Sequence, residues 1–190
     1  MSNTSRHRPI GVWRVSAPYT KPMTFLRAGL LTAVSDFAFA TVVTIFLFNS
    51  TFMRLWQGVA SVPLGREALD GGARTMWIGL GLHVCVAFWW SGVFLFGVMR
   101  LEAVRRVLLS RFGMLKVAAV YGPFVWLAMS LVVIPLFTQR PPSVTLRWWV
   151  QFIGHVPFVA LPMTWTARKA AAMSSLRGSG SAHSERAEDK

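Results

Sequence analysis

Asp36, His83 and His155 are ionisable, and each stands well inside a long run of uncharged residues. A carboxylate beside an imidazole can share a proton, pass it on, or tie two segments together, and a neutral imidazole can ligate a metal. Gln151, one helical turn before His155, could complete their hydrogen bonds. Three readings follow. The first is a structural polar cluster that fixes helix order inside a bundle. The second is a proton or ion relay centred on Asp36, since such groups mark permeation paths. The third is haem b held between His83 and His155 as axial ligands, the only cofactor this pattern suggests.

The elements that must position these residues are apolar. Met76–Met99 (MWIGLGLHVCVAFWWSGVFLFGVM) has 24 residues and no charge. A helix needs about 20 such residues to cross a ~30 Å hydrocarbon layer. Comparable runs cover 25–48, 114–137 and 148–166, the last interrupted by Pro157 and Pro162. The expected fold is therefore all-α: a four-helix transmembrane bundle without a second globular domain. With 54% hydrophobic and 14% charged residues, the chain does not read as an ordinary soluble domain.

Depth follows from the rise of about 1.5 Å per residue. His83 lies seven residues from Met76 and His155 seven from Trp148, which places both imidazoles about 10 Å below one face. Asp36, eleven residues from Phe25, comes about 13 Å below the same face. The three groups are expected in one layer, with Gly79, Gly81 and Gly154 letting backbones approach around it. The small-residue pair Ala87 and Ser91 suits close helix packing, and most tryptophans fall near span ends as an aromatic belt. Trp89-Trp90 lies deeper and is expected to pack on a neighbour.

Between the first two spans, Phe52, Met53, Leu55, Trp56 and Val59 recur at helical spacing, with Ser50 or Thr51 as a cap and Pro63 near the end. That pattern predicts a short interfacial helix after the first span. After the second span, Leu101, Val104, Leu108 and Phe112 form an apolar stripe opposite Arg105, Arg106 and Arg111, a basic turn at a membrane surface. Pro123 predicts a bend near Tyr121. Residues 1–24 form a basic, proline-broken segment that does not read as a signal peptide, and 169–190 a disordered tail.

The net charge of +13 is spread around apolar segments, which points to anionic lipid and away from nucleic acid. Of the 20 Lys and Arg, all but Arg54, Arg66, Arg74, Arg140 and Arg147 fall on the side that carries both termini. Positively charged loops stay cytoplasmic, so both termini are expected there (N-in, C-in). Cys85 is the only cysteine, so no intrachain disulfide is possible. No nucleotide loop, zinc spacing or nucleophile signature is present, so no catalytic residue or metal site is assigned and an enzyme is not the expected reading.

The order GLGLHVCVAFWWSGVF, a basic connection, VVIPL, then IGHVPFVALP resembles small, uncharacterised bacterial four-span inner-membrane proteins of the YagU type. The resemblance covers residues 25–168. It implies a multi-pass protein of the bacterial inner membrane with histidines on spans two and four, and it brings no assigned chemistry. The expected function is a non-enzymatic accessory, envelope or oligomer-forming component, its partners the bilayer, anionic lipid at the cytoplasmic face, and a second copy or another membrane protein.

Overall fold

A computed structural model describes residues 21–173 of the 190. Six helices account for the described fold, and no strand occurs among these residues. We number them α1 (Pro22–Leu47), α2 (Phe52–Leu64), α3 (Gly72–Arg100), α4 (Glu102–Leu109), α5 (Gly113–Thr138) and α6 (146–173). Three of them, α1, α3 and α5, are long and apolar enough to cross a membrane. Helix α6 is as long but more polar, because Gln151, His155, Pro157 and Pro162 dilute it. The exterior is apolar too: Phe46, Val120, Trp89, Leu136 and Ile153 are each about two-thirds exposed or more. Exposed apolar surface on this scale suits hydrocarbon rather than water.

Helix α1 starts three residues earlier than the apolar run suggests, at Pro22. Proline is well placed there, because its missing N–H would have no helical partner anyway. Helix α2 is capped by Thr51, whose Oγ1 accepts from the Arg54 N–H at 3.2 Å. Pro123 lies within regular helix, which runs through Gly113–Leu127, and π-helical turns follow at Ala128–Val133. They precede Pro135, which supplies no N–H to the carbonyl four residues back. Another π-helical turn, Val156–Ala160, contains Pro157 and begins directly after His155. Helix α6 continues to residue 173, so the first residues of the expected tail are helical. The rest of that tail and nearly all of the N-terminal segment lie outside the described residues.

The core lies where α1, α3, α5 and α6 meet, around Ala28, Phe94, Leu95, Ala118, Tyr121, Val125, Ala160 and Met163. Small residues there keep the helices close. The stripe on α4 is half used: Leu108 is fully buried in this core, whereas Leu101 and Phe112 are exposed. Trp90 packs edge-on against Tyr121 and Phe124, as a deep tryptophan should, while its neighbour Trp89 faces outward.

Two crossings set the frame of the site. A Cβ on Gly79 would overlap the main-chain carbonyl of Trp56, so glycine is what lets α2 lie directly on α3. A Cβ on Gly122 would meet the main chain of His155, where α5 crosses α6. Gly154 faces the Phe39 ring, but Gly81, also expected at a close approach, has open space around it. Gly79→Val is therefore expected to cost about 1–3 kcal/mol of stability through overpacking, while Gly81→Val costs little. Thermal unfolding of the two variants in one detergent checks this, and equal losses would contradict the crossing.

Candidate functional site

The structure places Asp36 on α1, His83 on α3, and Gln151 and His155 on α6 along the wall of one cavity of about 580 Å³. Asp36 lies eleven residues before the end of α1, and His83 eleven residues after the start of α3. Both come roughly 16 Å from the same end of the bundle. Helix α2 bounds that end, with Arg54, Leu55, Trp56, Val59 and Val62 on the wall. The π-helical stretches of α5 and α6 contribute Met129, Val133 and Val159, so the widened turns face the cavity.

His83 bridges two helices. Its Nε2 lies 3.1 Å from the main-chain oxygen of Ala33, and its Nδ1 lies 3.7 Å from Asp36 Oδ2. A carbonyl can only accept, so Nε2 carries a hydrogen and donates it. Nδ1 then faces a carboxylate oxygen. Were His83 neutral and Asp36 ionised, a lone pair would confront a negative charge in a site where the two side chains are only 11% and 19% exposed. One proton between them removes the conflict, whether on the imidazole as an ion pair or on the acid. At 3.7 Å the contact is longer than a direct hydrogen bond. The other carboxylate oxygen, Oδ1, is buried without a partner.

His155 is arranged differently. Its Nδ1 lies 2.7 Å from the main-chain oxygen of Gln151, so this nitrogen also carries the hydrogen. Gln151 thus acts through its main chain, not through the side-chain amide expected to complete the cluster. His155 is 8% exposed and its hydrogen bond goes to Gln151, so the group is an Asp–His pair with a second imidazole on the same wall. In the neutral form of this ring Nε2 is an acceptor. For bis-histidine haem, both imidazoles need a free nitrogen. His83 offers none unless its bond to Ala33 or its contact with Asp36 is given up.

Aromatic rings hold these groups in place. Trp56 stacks on Phe37 with ring centres 5.2 Å apart and packs against His83 at 5.0 Å. Trp126 packs against His155 at 4.9 Å. The indole N–H groups of Trp56, Trp90 and Trp126 are buried without acceptors, and all three residues line the cavity. Arg54 and Arg147 lie on the wall nearer its α2 end; Arg147 sits over the Phe48 ring at 4.4 Å. The periodicity of 52–59 anticipated a buried face for Trp56, but nothing in the sequence paired it with His83. Trp126 and Arg147 carried no signal beyond apolar helix and basic flank.

No protein-family model, curated protein or solved structure matches this chain. What it does must be argued from this geometry.

Proposed function

We propose that this chain is a four-span integral protein of a bacterial inner membrane, both termini cytoplasmic, and that its buried Asp36–His83 pair holds a proton for exchange with His155 across the cavity. Three apolar helices and the unequal distribution of Lys and Arg support the membrane reading. The observation that carries the functional reading is the orientation of His83: Nε2 is committed to Ala33, which turns Nδ1 toward a buried carboxylate oxygen at 3.7 Å, where a proton on either group is held by the other. A purely structural tie would satisfy both carboxylate oxygens, since an unpaired buried acceptor costs about 1–3 kcal/mol. Here Oδ1 is left without a partner beside a cavity. Ionisable groups inside membrane segments mark proton and substrate paths.

The accessory, oligomer-forming reading keeps one observation in its favour, the bridge from His83 to Ala33 that ties α3 to α1. Proteoliposomes with a pH-sensitive dye inside separate the two. Under the relay reading an imposed pH gradient decays faster than in protein-free vesicles, and Asp36→Asn returns the decay to the protein-free rate. A wild-type protein indistinguishable from empty vesicles, with Asp36→Asn lowering only its thermal stability, would leave the structural reading standing.

A further inference from the structure

We infer that the cavity takes a lipophilic weak acid, bound as its anion together with one proton. The inference rests on the proton-holding reading of Asp36 and His83 and adds the chemistry of the ligand. At about 580 Å³ the space falls within the range of small-molecule sites, about 300–1,000 Å³. Its wall is apolar along α2 and α5, where Leu55, Val62, Val133 and Ile134 would accept a hydrocarbon body.

The polar groups on the wall select the head. Asp36 is the only acid among the lining residues, and His83 stands 3.7 Å from it. Arg54 and Arg147 are the only permanent cations there. Arg54 reaches Asp70 at 3.9 Å, but that pair is exposed and weak. Arg147 rests on an aromatic ring, and no carboxylate among the described residues lies within salt-bridge distance of it. The three indole groups without acceptors, Trp56, Trp90 and Trp126, are all donors. A positive approach and a surplus of donors fit a ligand that brings acceptor oxygens and negative charge.

An anion entering this apolar space carries a desolvation cost unless a counter-charge enters with it. His155 can supply it. The charged and titratable groups that share the cavity with its ring are Asp36 from α1, Arg54 from α2, His83 from α3 and Arg147 on its own helix. Helix α5 meets it with the main chain at Gly122 and with Trp126. The neutral ring has an acceptor nitrogen, Nε2, and a proton placed there turns His155 into a donor toward the bound oxyanion. Binding then takes up one proton from solution, and the cavity's net charge is unchanged.

The test uses the full chain in nanodiscs of zwitterionic lipid and three probes with the same chain length: decanoate, decanol and decyltrimethylammonium. Binding is read by quenching of tryptophan fluorescence against empty nanodiscs, and proton uptake by calorimetry in two buffers of different ionisation enthalpy. Decanoate is expected to bind at least roughly ten-fold tighter than the other two. Its affinity should rise as the solution is brought from alkaline toward neutral, with one proton taken up per ligand. Arg147→Gln should weaken decanoate by roughly ten-fold and leave decanol unchanged. His155→Gln should abolish proton uptake. If decyltrimethylammonium or decanol binds as tightly as decanoate, the assignment of an acid is wrong, and any proton uptake seen with them leaves the proton-holding reading intact. If decanoate binds selectively without proton uptake, the acid stands and the uptake of a proton from solution at His155 fails. Binding of none of the three overturns the ligand site itself.

Discussion

Trp56→Ala is expected to lower the unfolding free energy by about 3–5 kcal/mol, the range for deleting a large buried aromatic side chain. Trp56 is 1% exposed, and three neighbours depend on it. Phe37 stacks on one face of the ring, Phe52 meets it edge-on, and His83 packs against it. Its main-chain carbonyl sits on Gly79, so α2 would remain over α3 while the ring-shaped void joined the existing cavity. Loss of the ring also frees His83 to turn away from Asp36. Chemical unfolding in mixed micelles, with Trp56→Phe as a partial replacement, measures the effect. A loss below about 1 kcal/mol, the size of an ordinary surface substitution, would mean that α2 is not docked as described.

His83→Ala should be comparably severe for an electrostatic reason. With the proton on the imidazole, removing that partner leaves the buried carboxylate uncompensated, at a cost of about 3–5 kcal/mol. Here the stranded group is Asp36, already lacking a partner at Oδ1. Adding Asp36→Asn should recover part of the loss, because an amide needs no counter-charge. A coupling of about 0.5–3 kcal/mol between the two sites is expected from a double-mutant cycle in detergent. Additive losses would show that the two residues do not act as a pair, and the proton argument would go with them. The structural and relay readings agree on this cycle, which is why the vesicle assay is needed to divide them.

Much of the scaffold could be read before any coordinates. A run of 24 residues without charge at Met76–Met99 admits few interpretations, and the helix found there simply extends it to Gly72–Arg100. Its start is set by Gly71 and Gly72, the latter at a φ of +61°, where side-chain-bearing residues rarely sit. The short helix at Phe52–Leu64 followed from its spacing and from a cap at Thr51. The cavity was not legible. It depends on which helix faces meet, and those are fixed by single contacts at Gly79 and Gly122 that look like any other glycine in an apolar run. Depth along each helix put Asp36, His83 and His155 in a common layer, because rise per residue is a property of the backbone alone. Rotation about each axis is set by packing, so the sequence could not say that His155 bonds to the main chain of Gln151. Nor could it say that Trp56 and Trp126 each lie against an imidazole. The widened turns after Leu127 carried no separate signal: Pro123, where a bend is expected, lies within regular helix, and the π-helical turns come just before Pro135.

The central claim concerns one proton between Asp36 and His83. Nitrogen-15 NMR of histidine-labelled protein in lipid, paired with infrared spectra of its carboxyl groups, reads it directly. The account predicts hydrogen on His83 Nε2, together with either a protonated Nδ1 or a protonated Asp36, and loss of that proton in Asp36→Asn. A bare Nδ1 on His83 beside an ionised Asp36, or nitrogen signals that Asp36→Asn leaves unmoved, would contradict it.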